Sequence, residues 1–594
     1  MTASATASSA RVAAIVFAVA LGAVLVAIIT VSAWVGIRAV LAYAHLRAAQ
    51  EAATTVRESL TDPAAAVDAV TGITADTAAA HALTSDPVWL LAEGLPWAGP
   101  QLAAVADVAQ TLDGLTGTAL EPLADAAAGF DVDGMQPGRI DLAPIAGMTS
   151  AATTATAGIA EAEASVAAID RGPLLPPVRD AVEELDRLLG EAAGATDTVA
   201  RLTAALPTMF GSEQPRHYLL LFQNNAEWRS LGGIPGAMAL LRVENGSLSL
   251  VGQASTSDYR RFDQTVLPLD PEVEQIYGRR PGLFIQNVTL VPDFPTSAAL
   301  AREMWAREHD GQQVDGVMTL DPVSLSYLLN ATGPVTLPTG DVLTSKTAVK
   351  QLLNEPYLRY EDPREQDAYF AAAAATVFGS LTAGEPKAGP LLKALVRAAA
   401  ERRLMLWSAH EAEQSHIAGT PLAGTLPVSD ADVARFGVFV NDGTGSKMDY
   451  YQSLATTVGW DACVPADDGA ATGDATLTVT VKNSAPADAA SLPAYITGDG
   501  AFGVPAGITR TVGYIYLPEG FELVGAEMTD GSGFGGGTHA GRRVLSFTVD
   551  LAPGASVTAV VTARATSPVA PTVEAQATPT IKPQATFAAT CDFP

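Results

Sequence analysis

The sequence RHYLLLFQNNAEWRSLGGIPGAMALLRVENGSLSL, at residues 216–250, decides the fold of the central part of the chain. Residues 218–222 form an uninterrupted apolar run, which predicts a strand buried within a sheet. Polar residues follow directly at 223–229, and glycines after them permit a tight turn. Asn245-Gly246 lies between two apolar segments and is typical of a type I′ hairpin, in which both central residues need positive φ. The stretch therefore predicts a core strand, a polar edge and a hairpin.

Strand and helix patterns alternate on either side of this stretch, from residue 211 to about residue 465. Residues 314–320 predict a strand that ends at Asp321-Pro322, where Asp can cap the next helix and Pro fits its first turn. Ala-rich helical patterns follow, and strand patterns return at 436–440 and 450–459. This alternation predicts an α/β domain over residues 211–465, with a sheet enclosed by helices.

The C-terminal part has a different pattern. Short strand patterns separated by turns predict a β-sandwich of about seven strands over residues 466–566. Residues 567–594 are rich in Pro and Thr, which predicts an extended or disordered tail. The chain has two cysteines, Cys463 and Cys591, which suit one disulfide in an oxidising compartment. Two unpaired buried thiols are the alternative.

Residues 12–37 contain no charged side chain and are long enough to cross a membrane as a helix. The segment lacks a small-residue cleavage site, so we expect an uncleaved signal anchor behind a cytoplasmic tail of residues 1–11, with a cleaved signal peptide as the alternative. Arg38 and Arg47 follow the span, which by itself disfavours an external C-terminus. The short tail, the acidic remainder and the two cysteines outweigh this, and we expect the bulk of the chain outside the cytoplasmic membrane. Residues 38–210 are rich in Ala and Leu at helical spacing and predict an α-helical bundle or stalk.

Composition argues against several functions. The 594 residues carry a net charge of −29, so their surface repels nucleic acid and we expect no nucleic-acid partner. The sequence contains no phosphate-binding P-loop, no G-x-S-x-G nucleophile motif and no H-E-x-x-H zinc motif. Nucleotide hydrolysis, α/β-hydrolase chemistry and zinc catalysis therefore lack their usual sequence support.

Two polar clusters are the candidate site. Asn224, Asn225, Glu227 and Arg229 follow the core strand at its C-terminal end, which is where α/β folds bind ligands. The second cluster runs from Tyr357 to Asp367 and contains an R-x-x-D-x-R-x-Q pattern formed by Arg359, Asp362, Arg364 and Gln366. Arginine can hold phosphate or carboxylate groups through two parallel hydrogen bonds. The alternative is that the same charges form ion pairs that only fix the loops.

The segments quoted above, together with QNVTLVPDFPTSA at 286–298, VDGVMTLDPVSLSYLLNATGPV at 314–335 and NDGTGSKMDYY at 441–451, resemble actinobacterial membrane proteins of domain of unknown function 4012. This resemblance covers about residues 216–460. It implies a membrane-anchored protein of the cell envelope and carries no biochemical activity with it.

A more distant resemblance concerns residues 314–367, whose order of segments is similar to the later half of the LytR-CpsA-Psr family. Those proteins are single-pass signal anchors that transfer undecaprenyl-pyrophosphate-linked glycopolymers to the cell wall. The resemblance implies that Arg359 and Arg364 hold the pyrophosphate. The chain departs from that family by lacking its Pro-Arg-Asp strand end and its metal-binding Arg-x-Asp pair, which puts catalysis in doubt.

Taken together, the residues and the resemblances predict a membrane-anchored envelope protein that binds or transfers a lipid-pyrophosphate-linked glycopolymer. Arg229 would join Arg359 and Arg364 on the phosphate in one cleft. Glu227 or Asp362 would act on a divalent ion such as Mg²⁺ or on the acceptor hydroxyl, and an enzyme of this kind would be a glycopolymer phosphotransferase. The alternative is a non-catalytic scaffold or adhesion protein of the envelope.

Overall fold

The structure is a computed structural model that describes residues 3–58, 63–129, 138–383, 388–466, 470–582 and 587–591. The chain divides into two compact units. The first contains Met1–Asp131 and Ala143–Ala204, and the second contains Val132–Leu142 and Ala205–Pro594.

The first unit is helical, as predicted for the region after the span. Its helices are α1 (Ala3–Glu58), α2 (Pro63–Thr84), α3 (Pro87–Glu93), α4 (Gly99–Leu115), α5 (Glu121–Ala128), α6 (Ala143–Ala167) and most of α7 (Pro176–Met209). A π-helical turn, Thr116–Leu120, joins α4 to α5. The core uses small and branched side chains, including Ala155, Ile159, Val166 and Val182. Small residues at helical spacing let the helices pack closely.

Helix α1 contains the predicted membrane span. Among the described residues, one helical segment is long and apolar enough to cross a membrane, Ile29–Ala53 within α1. It overlaps the predicted span at residues 29–37. The side chains of residues 1–20 lie outside the described part of the chain, and so do residues 1 and 2 altogether.

The second unit begins with a five-stranded sheet. Its segments, with the short hairpin β5–β6 beside it, are β1 (Arg216–Asn224), β2 (Ile234–Glu244), β3 (Ser247–Ser255), β4 (Gly316–Leu320), β5 (Val335–Thr336), β6 (Val342–Leu343) and β7 (Leu406–Ser408). The strand order is β3-β2-β1-β4-β7, with β1 and β4 parallel and the other pairs antiparallel. Asn245 and Gly246 both have positive φ in the β2–β3 turn, as predicted.

Helices cover this sheet on both faces. Helix α8 (Pro271–Tyr277) packs instead against later strands of the chain. The helices that follow are α9 (Phe294–Glu308), α10 (Pro322–Thr332), α11 (Ala348–Leu353), α12 (Glu355–Arg359), α13 (Pro363–Ala383), α14 (Ala388–Ala400) and α15 (Glu411–Ile417). Leu219 and Leu221 of β1 share a core with α9, whereas Leu220 belongs to the opposite face with Met209 and Ile417. A strand that is buried on both faces has apolar side chains at successive positions. This is why apolar and polar residues do not alternate at 218–222.

The remaining strands form two further sheets. They are β8 (Val433–Asp442), β9 (Gln452–Pro465), β10 (Ala471–Asn483), β11 (Thr509–Tyr516), β12 (Phe521–Met528), β13 (Gly535–His539), β14 (Arg542–Leu551), β15 (Ser556–Ala565), β16 (Thr572–Ala577) and β17 (Ala588–Thr590). One sheet has the order β12-β15-β10-β9, and the other has the order β13-β14-β11-β8-β16-β17. Both contribute side chains to one apolar cluster. A short helix, α16 (Ala494–Thr497), lies between β10 and β11.

These sheets take strands from outside the segment predicted for them. Strands β8 and β9 begin before residue 466, where the sequence places the α/β domain. Strands β16 and β17 lie in the segment predicted as an extended or disordered tail, and β16 pairs in parallel with β8. Val573 and Ala575 lie two residues apart on the same face of β16 and are buried in the shared core. Their burial holds the strand in the sheet. Cys463 and Cys591 form the predicted disulfide, which ties the last described residue to β9.

Trp228 connects the five-stranded sheet to the two further sheets. It follows β1 in the chain, yet its side chain is fully buried in the core that the two further sheets share. The loop after β1 therefore contributes its largest side chain to a neighbouring core. Folding of the two parts should be coupled through this residue.

We expect Trp228→Ala to destabilise the second unit by about 3–5 kcal/mol, because it removes a fully buried ring and leaves a cavity. Hydrogen exchange followed by mass spectrometry should show faster exchange in both β1 and β8. Trp97→Ala is the matched control, since Trp97 is 73% exposed and lies in the first unit. Faster exchange confined to one of the two strands would contradict the coupling.

Candidate functional site

A cavity of about 310 Å³ opens against one face of the five-stranded sheet, within the second unit. Its floor is formed by Leu220 and Phe222 of β1, Ala237 of β2 and Leu320 of β4. Both parallel strands, β1 and β4, thus reach the cavity near their C-terminal ends. This is the position that α/β topology favours for ligands.

The opposite wall is mainly one face of α13. Its lining residues recur at helical spacing and are mostly apolar: Phe370, Ala373, Ala374, Val377, Phe378 and Leu381. Leu325 of α10 and Leu352 of α11 complete the apolar lining. Alanines at 373 and 374 stand where larger side chains would fill the space, so the cavity depends on them.

Five residues form one continuous patch of the cavity lining, which we call the polar corner: Asn224, Glu227, Tyr357, Lys447 and Tyr495. Asn224 donates a hydrogen bond to the Tyr357 hydroxyl, and the rings of Tyr357 and Tyr495 stack 5.6 Å apart. The Lys447 ammonium lies 5.9 Å and 5.7 Å from these two ring centroids and forms an ion pair with Glu227. Such a cation gains from the aromatic faces as well as from the carboxylate.

Arg229 supports the polar corner without lining the cavity. It donates to Glu227 over 2.9 Å and to the backbone oxygen of Trp228 over 2.8 Å. Burial alone would raise the pKa of Glu227, but Lys447 and Arg229 more than offset this and hold it below its ordinary value. Glu227 is therefore an ionised carboxylate between two cations.

The loop after β1 and the loop after β8 hold each other in place, and this brings Lys447 to Glu227. The Trp228 N–H donates to Asp449 Oδ2 over 2.6 Å, and the Ser230 N–H donates to Asn441 Oδ1 over 2.7 Å. Backbone bonds also run from the Asp442 N–H to Trp228 and from the Asp449 N–H to Ala226. We call this hydrogen-bonded contact the loop interlock.

Two further carboxyl groups lie in the loop interlock. Asp442 accepts from the backbone N–H groups of Thr444 and Gly445 over 2.9 and 2.6 Å. Burial and the nearby charge of Glu227 nevertheless raise the pKa of Asp442 to about 6. Burial and Asp442 raise the pKa of Asp449 well above its ordinary value. The loop interlock therefore contains two carboxyl groups, Asp442 and Asp449, whose ionisation is unfavourable in the folded chain.

The structure brings part of the two predicted clusters together. Asn224 and Glu227 meet Tyr357, and Gln366 also lines the cavity. The Gln366 amide donates to the Tyr360 backbone oxygen over 2.9 Å, while its buried Oε1 has no hydrogen-bond partner among the described residues. Asn225 is fully buried outside the cavity lining.

The three predicted phosphate-binding arginines do not line this cavity together. Arg359 is 43% exposed and forms a two-point ion pair with Asp341, at 2.7 and 3.1 Å. Arg364 is exposed at the start of α13, where its backbone N–H donates to the carboxylate of Asp362. Arg229 is buried behind Glu227. None of these four side chains, Asp362 included, belongs to the cavity lining, so the expected arrangement of one cleft shared by Arg229, Arg359 and Arg364 is not found there.

Two charged residues that line the cavity were not predicted from the sequence to belong to a site. Lys447 follows β8 in the segment NDGTGSKMD, and the signal available was again a polar run directly after a buried strand. Asp321 was interpreted only as a helix cap, which it is, but it also lines the cavity and pairs with Arg403 over 2.7 Å. Within the described part of the chain, no three His, Cys, Asp or Glu side chains are placed to hold a metal ion.

Comparison with known families gives one match. Residues 213–357 match the family model described as a protein of unknown function, DUF4012. The matched segment contains β1, the polar residues after it and Tyr357, and it supports the resemblance deduced from the sequence. Comparison with curated proteins gives no match.

The raised pKa of Asp442 predicts a pH-dependent stability. A carboxyl whose pKa is higher in the folded than in the unfolded chain favours folding when protonated. This contribution is complete below pH ~4 and is lost as the pH rises through about 6. We expect the unfolding free energy of the wild type to fall, relative to Asp442→Asn, by on the order of 1–2 kcal/mol between pH 4 and pH 7.

Urea unfolding followed by tryptophan fluorescence would measure this difference at each pH. Asp432→Asn is the matched control, because Asp432 is exposed immediately before β8 whereas Asp442 is the last residue of that strand. Parallel pH curves for the wild type and Asp442→Asn would contradict the assignment.

Proposed function

We propose that this protein is a membrane-anchored, extracytoplasmic protein of the actinobacterial cell envelope that binds a lipid-pyrophosphate-linked glycopolymer. The apolar chain of the lipid would occupy the cavity, and the anionic head group would lie at the polar corner. The observation that carries the proposal is the combination of an apolar cavity with a lysine at one part of its wall. Pockets of this size and composition are typical of small-ligand sites.

The cavity suits an elongated apolar group. Its floor of sheet residues and its wall of α13 residues bury surface without charged side chains over most of the lining. Transfer of such a group from water is favourable by roughly 25 cal/mol per Å² of apolar surface buried. The contribution of the lipid chain to affinity would therefore come from α13 and the sheet together.

The polar corner suits an anionic head group. Lys447 retains N–H donors beyond the one directed at Glu227, and its ammonium group lies 5.9 Å and 5.7 Å from the centroids of two tyrosine rings. The Asn224 amide and the Tyr357 hydroxyl provide neutral polar groups beside it. In this arrangement Lys447 takes the phosphate-binding role that the sequence assigned to Arg359 and Arg364, and Arg229 acts only by holding Glu227.

A distant relationship to the LytR-CpsA-Psr family would imply the same ligand class. The parallel pair β1–β4, with α10 and α13 over one face, is consistent with a distant LytR-CpsA-Psr relationship. We infer that the two sheets with the shared core form a β-sandwich beside this domain. Transfer of the polymer to an acceptor would make the protein a glycopolymer phosphotransferase.

Filling the cavity should abolish lipid binding. We expect Ala374→Phe to weaken binding of undecaprenyl pyrophosphate by at least ~10-fold, because the ring would occupy the space of the lipid chain. Ala375→Phe is the matched control, since Ala375 is the next residue of α13 and is exposed. Equilibrium binding of the radiolabelled lipid to the full chain in detergent would measure both.

Failure of the folded wild type to bind, or equal binding by the two variants, would contradict the proposal. The first of these results would favour a non-catalytic scaffold of the envelope, the other function that the sequence suggested.

The head-group role of Lys447 has its own test. We expect Lys447→Met to weaken binding of undecaprenyl pyrophosphate by about 10- to 100-fold, since a charge-assisted hydrogen bond contributes roughly 1.5–3 kcal/mol. Binding of undecaprenol, which has no phosphate, should remain unchanged. Lys447→Arg should recover part of the loss, and an equal loss for the alcohol and the pyrophosphate would contradict a head-group contact.

A further inference from the structure

The first unit carries an exposed apolar tip between α3 and α4. Four large side chains there have little cover: Leu90 is 56% exposed, Leu91 79%, Leu95 52% and Trp97 73%. The helices on either side of the tip are packed, and Trp89 is fully buried against α4, where its indole N–H donates to the Leu102 backbone oxygen. The exposed set is therefore a local feature of residues 90–97.

Contacts between α1 and α2 show which residues of the two helices lie side by side. Arg38 pairs with Asp86, just after the end of α2, over 2.8 Å, and His45 pairs with Asp76 within α2 over 2.8 Å. Residue numbers thus rise along α1 as they fall along α2, and the two helices are antiparallel. The polar pairs suit a water-exposed bundle from Arg38 onward, so we take the membrane span to be the predicted residues 12–37 and not the whole apolar segment Ile29–Ala53.

Contacts between α2 and α4 locate the tip along the axis of α1. His81 bonds to Asp113 over 3.0 Å and Thr77 bonds to Thr116 over 3.1 Å, so α4 runs antiparallel to α2 and parallel to α1. At about 1.5 Å per residue, Gly99 lies roughly 20 Å from Asp113 towards the N-terminal end of α1. The tip before Gly99 therefore reaches past Arg38, alongside the apolar part of α1.

The part of α1 before Arg38 also has exposed apolar side chains. Val26 is 64% exposed, Ile29 66% and Trp34 51%, and the Arg38 guanidinium lies 5.1 Å from the centroid of the Trp34 ring. Tryptophan and arginine next to an apolar helix are typical of the boundary between lipid and water. The tip and this boundary are at the same level along α1.

The charge of the tip fits the same environment. Between residues 85 and 100 the charged side chains are Asp86 and Glu93. Asp86 is neutralised by Arg38. Burial and the charge of Asp107 raise the pKa of Glu93 above its ordinary value. Two prolines, Pro87 and Pro96, begin α3 and interrupt the turn after it, so the chain reverses there over a few residues.

We infer that residues 87–98 form a hairpin tip that inserts into the interfacial layer of the membrane beside α1. The span and the tip would then hold the first unit to the bilayer at two points and limit rotation about α1. This rests on α1 crossing the membrane, and it is independent of ligand binding in the second unit.

Nitroxide labels can measure the depth of the tip. The full chain would carry a single added cysteine, at Leu91→Cys in the tip, Val26→Cys in α1 or Ala160→Cys on the exposed surface of α6. Its two native cysteines form a disulfide and are not labelled. After reconstitution into phosphatidylethanolamine and phosphatidylglycerol vesicles, power saturation compares the accessibility of each label to oxygen, which concentrates in lipid, and to a water-soluble nickel chelate.

We expect labels at 26 and 91 to favour oxygen and the label at 160 to favour the nickel chelate. Lipid exposure at 26 with water exposure at 91 would overturn the inference while leaving the anchor intact. Water exposure at both would overturn the anchor as well. Low accessibility to both reagents at 91 would mean that protein covers the tip, either a second copy or another chain, and would also overturn the inference.

Discussion

The hydrogen-bonded interlock between the loop after β1 and the loop after β8 is the contact on which the rest of the second unit depends. The Trp228 N–H to Asp449 bond and the Ser230 N–H to Asn441 bond replace water for backbone groups that would otherwise be buried without partners. The Trp228 ring extends the same contact into the core shared by the two further sheets. Without this interlock Lys447 would have no fixed position relative to the five-stranded sheet.

The interlock concentrates charge in a region that is mostly apolar. Glu227, Arg229 and Lys447 form a buried set whose desolvation is costly, and such sets are weak evidence for added stability. Asp442 and Asp449 add carboxyl groups whose ionisation the fold disfavours. Apolar residues of similar volume would satisfy the packing alone. A buried cation facing an apolar cavity is instead what recognition of an amphipathic anion requires, which is why the proposed function is placed there.

The first unit is a helical bundle whose proposed role is to connect the chain to the membrane. Its core is built from small side chains, and polar pairs join α1 to α2 from Arg38 onward. In the proposed arrangement α1 runs from the membrane span into the bundle, so the helices packed on it would keep a fixed position relative to the membrane. The exposure of Leu91 and Trp97 at the tip fits this proposed arrangement, in which side chains at that level would meet lipid rather than water.

The sequence alone determined the local elements: the uninterrupted run at 218–222, the Asn245-Gly246 turn, the cap at Asp321 and the apolar segment of α1 each follow from short-range chemistry. It also determined the family match around residues 213–357 and placed Asn224 and Glu227 at a strand end. Only the tertiary structure decided that Lys447, more than two hundred residues later, meets Glu227, while Arg359 turns to Asp341. The reason is that periodicity and turn chemistry act over a few residues, whereas a site joins the ends of strands whose pairing is set by the packing of the whole core.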